Sequence, residues 1–163
     1  MMAAGLTGSY LHPIPNFEPL TLTMFCSGVL LGVRDGVLIG AMTMLVYSLL
    51  NPYGAVHPLV LAAQVAGEAL TGAAGGVFAA LGLPGRSLAV RATALAAAAL
   101  ILTAAFDLIT NLATGIVFGQ MKATLIGGLP FSIFHIATNI AMFAAVGTPL
   151  VAVFARYRER LSS

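Results

Sequence analysis

The chain has 163 residues, of which 60% are hydrophobic and only 7% charged, with a formal net charge of +2 and a mean hydropathy of +1.01. Soluble domains run about 45–50% apolar and about 25% charged, so this chain has too little charge to cover a water-facing surface. The composition predicts an all-α integral membrane protein and gives no basis for a nucleic-acid partner. A single cysteine, Cys26, excludes an intrachain disulfide framework and a cysteine-rich zinc site.

The chain opens with "MMAAGLTGSYLHPIPN", which lacks a basic start and a long apolar core and is interrupted by Pro13 and Pro15. No cleavable signal peptide is expected from it. A helical span takes roughly 20 mainly apolar residues, and five are predicted, at approximately 19–33, 37–50, 57–83, 88–119 and 130–157. The first ends at "RDG", the second at "NPYG" and the third at "LPGR". The fourth is long enough to tilt, and Pro149 is expected to bend the fifth. Alternating ten-residue strands are not seen, so a helical bundle is expected and not a barrel. Gly28, Gly32, Gly36 and Gly40 recur every four residues, and Gly72 and Gly76 repeat the spacing. That pattern lets helix backbones approach closely and points to internal packing.

Arg34, Arg86, Arg91, Arg156, Arg158 and Arg160 all fall on one side of the alternating spans, and Lys122 on the other. The positive-inside rule then places the "RDG" turn, the "LPGRSLAVR" loop and the C-terminus in the cytoplasm. The "LHPIPNFEP", "NPYGAVHP" and "GQMKATLIGG" segments face outward. Five spans with this orientation leave the N-terminal segment outside. A short or truncated sixth helix before residue 12, with "MMAAGLTGSYL" as its stub, would bring it in.

Three spans each carry a polar pair at i, i+4, one spot on one helix face: Gln64 and Glu68, Asp107 and Asn111, His135 and Asn139. At about 1.5 Å per residue, they lie roughly 10 and 16, 18 and 12, and 8 and 14 Å from the outer ends of their predicted helices. An acid at a helix centre costs about 2.5–3.5 kcal/mol on insertion scales, so Glu68 and Asp107 should face the bundle interior or a water-filled cavity. Two readings stand: interhelical glue, worth about 0.6 kcal/mol per hydrogen bond on average, or the wall of one shared pocket opening outward. No intramembrane cation is at hand except His135. Either an acid is protonated, or it pairs with His135 or with a cationic ligand group. Glu68, Asp107 and His135 are acceptable zinc, nickel or cobalt donors, but their spacing matches no ligand motif, and no metal or other cofactor is expected. Cys26 reads as a packing residue, with a soft contact to a cobalt centre as the sharper alternative. Ser132 lies three residues from His135 without an activating arrangement, so no enzyme is expected. No G-x-x-x-x-G-K-[ST] motif is present, so the chain is not itself an ATPase. Above the belt, Asn51, Tyr53 and His57 sit in a proline-bounded loop. Tyr10, His12, Phe17 and Glu18 stand in the N-terminal segment, placed to cover a pocket.

The run "EPLTLTMFCSGVLLGVRDGVLIGAMTMLVYSLLNPYG", followed by "HPLVLAAQVAGEALTGAAGG", "FDLITNLATG" and "GLPFSIFHIATNIAMF", resembles the substrate-binding S components of energy-coupling factor (ECF) transporters. The likeness is one of pattern and covers most of residues 15–160. It implies a six-helix bundle in the bacterial cytoplasmic membrane with both termini inside. A vitamin or related micronutrient would be held by the outer loops and the last three helices, here Asn51, Tyr53, His57, Gln64, Glu68, Asp107, Asn111, His135 and Asn139. It further implies docking on a transmembrane coupling subunit and two ATPase subunits. The chain departs from the family at its start, where a complete first helix is missing. Independently of the resemblance, a small proton- or ion-coupled carrier or channel using Glu68, Asp107 and His135 is the second reading, and a scaffold held by its polar pairs the third. Which substrate is carried is not legible in these residues.

Overall fold

The computed structural model describes residues 1–2, 19–50 and 56–162. Among these there is no strand. Six helices follow in order: α1 Leu20–Leu31, α2 Val33–Leu49, α3 Pro58–Ala80, α4 Leu88–Phe118, α5 Met121–Met142 and α6 Thr148–Ser162. A short 3-10 turn, Leu83–Gly85, follows α3, and a π-helical turn, Phe143–Gly147, joins α5 to α6 without a break in the rod. Among the described residues, three helical stretches are long and apolar enough to cross a bilayer: Pro58–Ala80, Leu88–Phe118 and Met121–Arg158. Their outward faces carry Ile101, Ile116 and Ile133, each more than 60% exposed. An apolar perimeter of this kind marks a membrane protein.

α1 is the centre of the bundle. Its twelve residues span only ~18 Å at the helical rise, and nine of them are buried. A helix that is apolar all round is a core helix, and α3, α2 and α6 surround this one. Phe25, fully buried, meets Phe78 of α3 and Phe143 of the π turn edge-to-face, each with ring centroids 5.3 Å apart. Cys26 lies in the same apolar cluster with Leu22, Val29 and Leu95, among packing residues.

The glycine series works as expected with one exception. A Cβ on Gly28 or Gly36 would run into the carbonyl of Gly72, and one on Gly40 into that of Glu68. The small residues therefore seat α1 and α2 on α3. Gly32 instead ends α1, with φ +97° and ψ 177°, a backbone region open essentially to glycine alone. The turn between the first two helices is thus this one residue, and the expected "RDG" turn is corrected: Arg34, Asp35 and Gly36 already belong to the first turn of α2. Asp35 suits that place, because the helix N-terminus carries partial positive charge.

The fifth expected span is corrected more substantially. It begins at Met121 and not Pro130, and most of the segment expected as an outer loop is helix. Gly119, at φ +65°, caps α4 in the left-handed conformation, and Gln120 alone separates it from α5. Met121 packs back on Gly115, where a Cβ would lie 3.0 Å from the Met121 Cα. Two residues therefore suffice to reverse the chain. Pro130 lies inside α5; proline is tolerated in membrane helices because neighbouring groups re-satisfy the backbone it frees. The expected third span also ends earlier, at Ala80, and near Pro149, where a bend is expected, the helix carries the π turn just before it.

Candidate functional site

The α4–α5 hairpin carries a buried polar seam. Asp107 of α4 and His135 of α5 face each other, with Oδ1 2.9 Å from Nδ1. When the carboxylate is ionised it can only accept, and the shared hydrogen then belongs to Nδ1. Both side chains are buried. Phe106 and Phe131 each make a T-shaped contact with the imidazole, with ring centroids 6.3 and 5.9 Å away. Such apolar flanks lower the local dielectric and strengthen the pair. The second carboxylate oxygen of Asp107, Oδ2, is buried with no hydrogen-bond partner.

The seam extends a turn either way. One turn back along α4 is Thr103 and one turn on along α5 is Asn139; in antiparallel helices these steps stay level. Asn139 Nδ2 donates to Thr103 Oγ1 at 3.1 Å. On the turn side, Asn111 stands over Gly128, so closely that a Cβ there would lie 2.8 Å from Asn111 Nδ2. Asp107, Asn111, His135 and Asn139 are therefore brought together. Their common level comes from the hairpin register. The depth reckoned from Pro130 is replaced, since His135 lies fourteen residues into α5, about 21 Å at the helical rise.

Gln64 and Glu68 lie on another face of the bundle. Ser48 of α2 donates to Gln64 Oε1 at 3.2 Å, and Thr21 of α1 donates to Glu68 Oε1 at 3.1 Å. Between this layer and the α4–α5 seam stands Phe106. Its ring packs on Gly67 and makes a T-shaped contact with His135. His57 is exposed at the start of α3, where its Nδ1 accepts from the Leu59 N–H at 3.2 Å and caps the helix. Asn51 and Tyr53 lie outside the described residues, as do Tyr10, His12, Phe17 and Glu18.

Four participants escaped the sequence reading: Thr21, Ser48, Thr103 and Phe106. Thr103 was within reach, because Thr103, Asp107 and Asn111 form one stripe at four-residue spacing. Phe106 carries no such signal, since one more phenylalanine in an apolar helix is unremarkable. Compared with protein-family models, curated proteins and solved structures, the chain matches none.

Proposed function

We propose that this chain is the substrate-binding subunit of an ECF-type importer. On this reading it sits in the bacterial cytoplasmic membrane, with five full spans, a short first helix and a cytoplasmic C-terminus. It captures a vitamin-like small molecule and hands it to a coupling subunit driven by two ATPase subunits. The observation that carries the reading is the buried carboxylate of Asp107, held on one side by His135 and left without a partner on the other. An acid is expensive in a membrane and marks a functional site by default. If helix-to-helix adhesion were its only use, a neutral residue would serve at lower cost. Asn139 and Asn111, a turn away on either side, supply the neutral donors and acceptors that a polar ligand needs.

The test is to purify the protein, identify any small molecule released on denaturation, and titrate vitamins against the emptied protein. Submicromolar binding that falls at least about tenfold in Asp107→Asn, with the fold retained, is the expected result; about 1.4 kcal/mol, one charge-assisted hydrogen bond, corresponds to that factor. Protein that binds none of them, yet moves protons or ions in liposomes without ATPases, overturns it. That outcome favours the second reading, a carrier, for which the two buried acids Glu68 and Asp107 and the Asp107–His135 contact supply the groups of a relay. Glu68→Gln and Asp107→Asn would then each abolish the flux.

A further inference from the structure

At the end of the bundle opposite the Gly119 turn, a recess of about 440 Å³ opens between the turn after α3 and the last helix. That volume falls in the range of small-molecule sites, about 300–1,000 Å³. Its walls are made of Ala79, Gly82, Gly85 and Ala155, with Arg158 as its one charged side chain. Small residues leave the guanidinium as the dominant chemical feature. Arg158 also leans toward the α1–α2 break, its Nη2 3.9 Å from where a Cβ on Gly32 would be. The opposite wall is a rigid turn. Gly82 is left-handed at φ +68°, the Gly85 and Arg86 N–H groups bond back to Gly82 and Leu83, and Arg91 Nη1 clamps the Pro84 carbonyl at 2.9 Å.

The surroundings narrow the ligand. Arg34, Arg86, Arg156 and Arg160 stand at the same end of the chain's helices and outnumber Asp35 and Glu159 there, so the local field favours an anion. Leu81 and Leu88, 63% and 68% exposed, and Tyr157, 54% exposed, lie beside the recess in sequence and face outward. An aromatic and long apolar side chains next to arginines at the ends of spans belong to the membrane–water interface. A soluble anion would have no use for the leucines, whereas a lipid puts its phosphate against the arginine and its chains along them.

We propose that this recess is a binding site for the phosphate of an anionic phospholipid headgroup, with Arg158 as its anchor. Guanidinium and phosphate match as a two-pronged hydrogen-bonded pair. The proposal requires only that the chain lie in a membrane and stands apart from the transport reading.

The test uses delipidated protein in neutral detergent. Dioctanoyl phosphatidylglycerol, dioctanoyl phosphatidylcholine and inorganic phosphate are titrated separately, followed by thermal unfolding and by native mass spectrometry. Phosphatidylglycerol should raise the unfolding temperature and remain bound as a discrete adduct, with the other two much weaker. Arg158→Gln should weaken the adduct about tenfold and Arg156→Gln much less, because a guanidinium paired with the phosphate outweighs one that adds only to the surrounding field. Ala155→Leu, which fills the recess and leaves every charge in place, should weaken it as well, and serves if Arg158→Gln fails to fold. Equal losses in Arg156→Gln and Arg158→Gln would mean a diffuse field and no site. Equal binding of phosphatidylcholine, or protection by inorganic phosphate alone, would likewise overturn the assignment to an anionic lipid.

Discussion

Gly36 of α2 and Gly72 of α3 lie flat against each other, each backbone carbonyl occupying the space where the other's Cβ would go. The contact is reciprocal, so neither helix can yield alone. Gly72→Ala should therefore destabilise the protein by about 3 kcal/mol, the upper end of the usual overpacking range. Gly127→Ala meets nothing within 4 Å and should be neutral or slightly stabilising, since alanine favours helix by up to about 1 kcal/mol. Thermal unfolding of the two variants in the same detergent separates packing from propensity.

Gly32→Ala tests a different cause. The nearest atom to a Cβ there is 3.9 Å away, so no clash arises, but the backbone at φ +97° is closed to alanine. A loss of about 1–3 kcal/mol is expected from conformation alone. It should be seen as a lowered unfolding temperature that trimming Arg158 does not restore.

The two bonds of the α4–α5 seam should differ in weight. Thr103→Val removes one neutral interhelical hydrogen bond and should cost about 0.6–1.7 kcal/mol. Asp107→Ala strips His135 of its partner, and breaking a buried pair from one side costs about 3–5 kcal/mol. Asp107→Asn keeps an acceptor for Nδ1 and should fall between. Unfolding in detergent gives the ranking; equal costs for Thr103→Val and Asp107→Ala would mean that the acid contributes no more than a hydroxyl.

Phe25→Ala should be the most damaging single core change, at about 3–5 kcal/mol. Phe25 is fully buried and joins α1 to both α3 and the π turn. Phe131→Ala, at an exposed ring, should cost far less, by the same unfolding measurement.

Much of this architecture was readable from composition and spacing, and the gaps have physical causes. Gly28, Gly36, Gly40, Gly72 and Gly76 announced close helix packing, because only backbone can meet backbone at that range. Gly32, in the same series, turned out to end a helix; spacing does not distinguish a glycine chosen for its missing Cβ from one chosen for its φ. Gly127 and Gly128 looked like the end of a loop and Pro130 like the first residue of a helix, because each weakens a helix interior, and yet α5 runs through all three with α4 packed along it. The i, i+4 pairs located the buried polar residues, but periodicity gives a face and not a partner. Only the fold shows that Gln64 and Glu68 turn to Ser48 and Thr21 while Asp107 turns to His135.

The π turn at Phe143–Gly147 acts as one residue inserted into a rod of α-helix. Each residue of an α-helix advances the chain by about 100°, so this insertion sets the angular phase of everything that follows. Val151 points into the core and Arg158 into the recess only because that phase is what it is. Removing Ala145 would let the helix close up and swing both away together, recasting the chemistry of the distal end with every one of its own residues still in place.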